Sequence, residues 1–165
     1  MKKINHSFVV TEYESRDELT SVDNMLLQKA IEAVDNAYAP YSTFYVGAAA
    51  LLENGEIVIG NNQENAAYPS GLCAERVALF YASSIFPDVP VKAIAITAKA
   101  KNFTITEPVA PCGACRQVMA ETENRFKNIL RVIMMGEEGV IHVVEGMENI
   151  LPSAFHAEEL KKDKK

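Results

Sequence analysis

Val91-Lys92-Ala93-Ile94-Ala95-Ile96-Thr97-Ala98 is the stretch that decides the fold. An apolar run of strand length is the pattern of a strand buried on both faces, which belongs in the middle of a sheet covered by helices. Before it stand a polar loop from Asn61 to Leu72 and a helix opening near Cys73, which carries Val77, Leu79, Phe80 and Tyr81. Pro87 and Pro90 flank the turn between that helix and the strand. After it come a loop over 99–110, a helix from Cys112 to about Glu123, and a second buried strand, Leu130–Met135. The turn Gly136-Glu137-Glu138-Gly139 is too short for a parallel crossover, so Val140–Val144 must return antiparallel.

The N-terminal half reads in the same way. Residues 8–13 read as a short strand. Ser15 with Glu18 matches a capping box, and Leu19, Val22, Leu26, Ala30, Val34 and Ala37 recur at helical spacing to about Tyr38, with Pro40 as the stop. Residues 45–53 and Glu56–Gly60 are strands joined by Asn54-Gly55, a strong hairpin signal. Helices alternating with apolar strands predict a three-layer α/β/α sandwich with a mixed five-stranded sheet. It should have an antiparallel hairpin at one edge, right-handed crossovers in the middle and an antiparallel last strand. One domain over 1–165 is expected, with an N-terminal extension at 1–16 and a charged tail at 157–165.

Composition bounds the function. At 165 residues, folding buries roughly 70% of the unfolded chain's surface, enough for a core without staples. Apolar residues make up 48% and charged residues 23%, an ordinary globular balance. The formal charge of −6 argues against a surface that tracks phosphates, so no nucleic-acid partner is expected. No apolar run approaches the roughly 20 residues of a membrane span. The basic residues near Met1 have no apolar segment behind them, so no signal peptide is read there. Three cysteines are an odd number, which fits reduced thiols in a cytoplasmic protein better than a disulfide framework.

The chemistry lies in two runs, Cys73-Ala74-Glu75-Arg76 and Pro111-Cys112-Gly113-Ala114-Cys115, each where a loop becomes a helix. The C-x-x-C spacing lets two sulfurs from one turn face a single point, and a third sulfur from another helix start, Cys73, can complete a tripod. Helix N-termini stabilise thiolates through unpaired N–H groups and the macrodipole. Zinc prefers a tetrahedron of such ligands, and three protein ligands leave a position for water. His6, His142 and His156 do not stand at ligand spacing from any cysteine. Glu75, two residues after a ligand, can approach that water without binding the metal and move its protons. A redox dithiol would explain Cys112 and Cys115 but not Cys73 and Glu75. A purely structural zinc site would want four closed ligands.

At these residues the sequence resembles the cytidine deaminases, specifically the small homotetrameric kind with three cysteines. The likeness runs from about Ala37 to Phe155. It takes in Ala37-Tyr38-Ala39-Pro40-Tyr41-Ser42-Thr43-Phe44 with Val46-Gly47-Ala48, and Asn62-Gln63-Glu64-Asn65-Ala66-Ala67-Tyr68-Pro69 with Gly71-Leu72 before Cys73. It continues through Pro111–Met119 and ends at Leu151-Pro152-Ser153-Ala154-Phe155. The resemblance implies a cytidine deaminase-like fold and one zinc ion per subunit on Cys73, Cys112 and Cys115. It implies Glu75 as the proton shuttle. Asn62 and Glu64 would grip the ribose 3′-hydroxyl, the Ala74 N–H would donate to the pyrimidine 2-oxo group, and Phe44 would pack on the nucleoside. Phe155 would stack on the base in a neighbouring subunit's pocket, giving a homotetramer with shared active sites. Arg76 would offset the excess negative charge of three thiolates on a divalent ion.

The activity so implied is hydrolytic deamination of cytidine and deoxycytidine to uridine and deoxyuridine with release of ammonia, a pyrimidine-salvage reaction. The alternative is a related zinc deaminase acting on another aminopyrimidine nucleoside, such as a blasticidin-type antibiotic. Asn62 and Glu64 speak for the nucleoside sugar and against that alternative. An editing deaminase of polynucleotides would need cationic residues and stacking platforms, and a non-enzymatic zinc-stabilised module or thiol switch would be favoured by metal analysis showing no zinc together with a reversible Cys112–Cys115 disulfide. The sequence departs from the family pattern at Tyr45, at Ser70 and over Glu121–Lys127, which reads as a small insertion.

Overall fold

The computed structural model describes residues 1–156 and 160, so the charged tail expected over 157–165 lies, Leu160 apart, outside the described residues. Its centre is a mixed sheet of six strands, β1 (Thr11–Tyr13), β2 (Phe44–Leu52), β3 (Ile57–Asn61), β4 (Val91–Ala100), β5 (Arg131–Met135) and β6 (Ile141–Glu145), in the order β1-β6-β5-β4-β2-β3. The helices are α1 (Ser21–Val34), α2 (Ala74–Ile85) and α3 (Gly113–Phe126).

The long apolar run is β4, hydrogen-bonded to β2 on one side and to β5 on the other. Its side chains alternate between two cores, as a period of two requires. Ile94 and Ile96, with Ala48, Ala50, Val132 and Met134, meet Ala74, Ala78 and Leu79 of α2 and Met119 of α3. Ala93 and Ala95, with Ala49, Ile133 and Met135, meet Leu26, Leu27 and Ala30 of α1. One helix therefore covers one face and two helices cover the other, the expected three layers.

Asn54-Gly55 closes the β2–β3 hairpin, with Gly55 at φ +89° and the Asn54 Oδ1 accepting the Glu56 N–H at 3.1 Å. β4 and β5 pair parallel across α3, and β6 returns antiparallel to β5. The sheet departs from expectation by one strand. The segment expected over 8–13 contributes only Thr11–Tyr13, but these three residues pair antiparallel with β6 and make the sheet six-stranded rather than five-stranded. The short, largely exposed strand carries little hydrophobic pattern, and it is held by backbone pairing with the edge of β6, by Tyr13 packed on the core and by the Glu12–His142 side-chain contact at 2.7 Å.

α1 is shorter than its spacing suggested. It starts at Ser21, where the Thr20 Oγ1 accepts the Asp23 N–H at 3.1 Å, rather than at the Ser15 box. It ends at Val34 because the chain beyond is drawn into a bridge: the Tyr38 N–H donates to the Asn62 carbonyl at 2.9 Å and the Glu64 N–H to the Tyr38 carbonyl at 2.8 Å. Residues 121–127, read as an insertion, are the end of α3 with Lys127 as a left-handed cap. Among the described residues no helix is long and apolar enough to cross a membrane.

Gly60 sets how closely α2 lies on β3. A Cβ there would come within 2.5 Å of the Ala74 carbonyl oxygen and 2.5 Å of the Ala78 nitrogen, both backbone atoms. Gly60→Ala is expected to lower stability by about 1–3 kcal/mol through overpacking, read as a drop in the denaturation midpoint.

Candidate metal and active site

The three cysteines come together through the two helix starts. Cys73 is the N-cap of α2 and Cys112 the N-cap of α3, and neither side chain makes a capping bond. Both sulfurs are thus free to turn toward a common point at the positive ends of two helices. The three Sγ atoms lie within 4.8 Å of one another, with Cys112 3.9 Å from Cys73 and 3.5 Å from Cys115. Two thiolates bound to one tetrahedral zinc at the usual bond length stand about 3.8 Å apart, so the spacing fits zinc. Among the described residues the cluster contains these three groups and no fourth, and the thiols are not joined as disulfides. The donor set is that of an open zinc site.

The surroundings favour a thiolate at one of the three sulfurs, Cys73. Cys73 is pulled down to about 5, first by the hydrogen bond from Cys115, then by Arg76 and Cys112, against the effect of burial. Cys115, fully buried, is pushed up by the same bond to Cys73 and by desolvation. Arg76 donates from Nη2 to the Cys73 Sγ at 3.6 Å and to the Gly71 carbonyl at 3.4 Å, while its Nε is buried without a partner. A guanidinium held this way against sulfur offsets negative charge gathered there.

Glu75 is the second residue of α2 and lines the pocket in front of the cysteines, yet it is only 4% exposed. Burial raises its pKa above the ordinary carboxyl range and the nearby Cys73 thiolate adds to the rise; its own amide N–H, a hydrogen bond with Cys115 and the Arg76 charge oppose it. Such a group exchanges protons closer to neutrality than an exposed carboxyl does.

The pocket has a volume of about 640 Å³, and Phe44, Asn62, Glu64, Cys73, Glu75 and Arg76 all line it. Asn62 is oriented by β2, its Oδ1 accepting the Val46 N–H at 2.8 Å and its Nδ2 donating to the Phe44 carbonyl at 2.9 Å. One Nδ2–H and one carbonyl lone pair then remain for a ligand. The Glu64 Oε2 accepts the Tyr41 and Ser42 N–H groups at 2.9 and 3.2 Å. The Ser42 side chain, followed by these amides, holds Glu64 below the ordinary carboxylate range, so it presents an anionic acceptor.

Two expected residues stand apart. Ala74, the first residue of α2, is fully buried and does not line the pocket. Phe155 is 58% exposed and lies outside the pocket of its own chain. Residues without an assigned role in the sequence reading also line the pocket, notably Tyr41, Ser42 and Tyr68. The Tyr41 and Tyr68 rings meet edge to face at 6.3 Å. Next to Ser42, Thr43 holds φ 55°, rare for a β-branched residue, and thereby turns the chain into β2. The turn residues around Pro40 were the available signal for this loop.

With this geometry in hand, comparison with known proteins is specific. Residues 20–135 match the family model described as the cytidine and deoxycytidylate deaminase zinc-binding region. A cytidine deaminase of Halalkalibacterium halodurans is 45% identical over 136 residues, which cover 82% of this chain and 96% of that protein. A cytidine deaminase of Mycobacterium tuberculosis is 32% identical over 145 residues, 86% of this chain and 96% of that one. The crystal structure of cytidine deaminase from Burkholderia pseudomallei superposes with a TM-score of 0.70 at 40% identity, over 83% of this chain and 100% of that chain. The region matched by the family model holds all three cysteines, Glu75, Asn62 and Glu64, and stops before Phe155.

Proposed function

The chain belongs to the cytidine and deoxycytidylate deaminase family, and from that premise we propose that it hydrolyses cytidine and deoxycytidine to uridine and deoxyuridine, releasing ammonia. The observation that carries this reading is the open three-thiol cluster with a buried carboxyl beside it in one pocket. Cys73, Cys112 and Cys115 would hold the zinc ion. When bound, zinc makes a water acidic and nucleophilic at neutral pH.

Glu75 accepts a proton from the attacking water and passes it to ring N3, which makes C4 electrophilic. The oxygen–C4 bond forms and C4 becomes tetrahedral. Glu75 then carries the second water proton to the exocyclic amine, the C4–N bond breaks, and ammonia leaves. A pKa raised by burial suits a group that must take and return protons within one turnover. The ionised Glu64 accepts the ribose 3′-hydroxyl proton and the remaining Asn62 Nδ2–H donates to the hydroxyl oxygen, so a free base loses these contacts. Phe44 packs against the nucleoside, and the Ala74 N–H donates to the 2-oxo group. Arg76 offsets the negative charge on the sulfurs.

The exposure of Phe155, the resemblance in its segment and its position outside its own pocket support its donation to a neighbouring copy. On this reading the working assembly is a homotetramer, and the cytoplasm is its expected location. The blasticidin-type alternative is not favoured, since the relatives reported above are named for cytidine. The direct test offers cytidine, deoxycytidine, cytosine and deoxycytidine monophosphate separately and follows ultraviolet absorbance. Turnover of both nucleosides, with little or none for cytosine, is expected; equal turnover of the free base would remove the sugar-reading role of Asn62 and Glu64.

A further inference from the structure

We infer that Gln117 is a positioning residue that sets Phe155 for its neighbour's pocket, an inference that rests on the proposed donation of Phe155 to a second copy of this chain. Gln117 stands two residues beyond Cys115 on α3. Its amide holds both polar groups of a single residue's main chain: Nε2 donates to the Phe155 carbonyl at 2.8 Å, and Oε1 accepts the Phe155 N–H at 3.2 Å. This is the pairing a strand neighbour would supply, made here by one side chain. It fixes the backbone of Phe155 and leaves the ring outward, 58% exposed.

The neighbouring residue works on the other end of the same segment. Arg116 donates from Nε to the Pro111 carbonyl at 2.8 Å and from Nη1 to the Ile150 carbonyl at 2.9 Å. Residues 151–155 have no helix or strand of their own. Leu151 and Ala154 pack on the core, but the last step to Phe155 depends on Gln117. The helix carrying Cys112 and Cys115 is thus also the reference frame for the aromatic ring offered to the adjoining site. Only glutamine satisfies both ends at this reach: glutamate lacks the donor, and asparagine is one methylene shorter.

The test uses the zinc-loaded full chain and measures kcat, KM for cytidine, zinc content and mass in solution for Phe155→Ala, Gln117→Leu, Gln117→Glu and the Phe155→Ala/Gln117→Leu double variant. Phe155→Ala is expected to raise KM about tenfold, the scale of one lost base–aromatic stack. Gln117→Leu should raise KM about three- to tenfold by leaving the ring to be ordered on binding, with kcat, zinc and mass unchanged. Gln117→Glu, which keeps the acceptor, should fall between Gln117→Leu and the unaltered chain. The double variant should be no worse than Phe155→Ala alone, because both changes remove the same contact. A KM rise in Phe155→Ala with none in Gln117→Leu overturns the inference while leaving the donation intact. Full additivity in the double variant, or a Gln117→Leu defect in kcat or zinc with unchanged KM, also overturns it. An unchanged KM in Phe155→Ala removes the donation itself, and the inference with it.

Discussion

Glu75→Gln should lower kcat for cytidine by about 10²–10⁴-fold, the usual contribution of a positioned acid–base group, while zinc content stays at one ion per chain. The substitution keeps the shape of the side chain and removes its ability to take a proton from water. Glu75 is outside the thiol cluster, so the metal ligands are untouched. Folding should not suffer either. Burial disfavours the charged carboxylate at this position, and a neutral amide relieves that cost. The denaturation midpoint is therefore expected to hold or rise. Kinetics, metal analysis and a thermal melt on one sample check the prediction; a variant that lost its zinc along with its activity would place Glu75 in metal retention instead of proton transfer.

Cys115→Ala should abolish activity and zinc binding together. Cys115 is the fully buried corner of the tripod, and without it the cluster has only two sulfurs from two separate helices. Stability should fall with the metal, because an ion that binds only the folded chain stabilises it by linkage. At a zinc concentration 100 times the Kd that contribution is about 2.7 kcal/mol. A strong chelator should reproduce the loss in the unaltered chain, and added zinc should restore it. The pH dependence has a definite sign. The bound form needs thiolates, so binding releases protons and zinc is shed as the pH falls. Acid inactivation should then coincide with zinc release, measured with a colorimetric zinc indicator. Full activity in Cys115→Ala, or in the chelated protein, would contradict the thiol site.

What the sequence made legible and what it hid divide along the range of the interactions. Asn54-Gly55 announces its hairpin because the turn is local, and β4 announces itself because burial on both faces leaves an apolar run. The cysteines announce the two helix starts because ligand spacing is a short-range pattern. The limits of α1 do not follow its helical pattern because both are decided elsewhere. The Ser15–Glu18 pair does exist as a turn, with the Glu18 carboxylate accepting the Glu14 N–H at 3.3 Å, but Thr20 takes over as the helix cap. Tyr38 leaves the helical pattern for a backbone pairing with residues far along the chain. The hold of Arg116 and Gln117 on Ile150 and Phe155 spans 34 and 38 residues and produces no periodicity at all. Nor does sequence reveal that Asn62 spends most of its amide on β2 before any substrate arrives.

The absence of an ordinary cap on α2 and α3 has a consequence for where the fold depends on its metal. Cys73 and Cys112 stand where serine or aspartate would usually complete a helix, a substitution worth about 1 kcal/mol at each start. The sulfurs turn from that task toward one shared point, so a zinc ion held there would tie together two helix starts 39 residues apart in the chain. Removing the metal is then expected to loosen the first turns of α2 and α3 before the sheet, read as faster amide hydrogen exchange there.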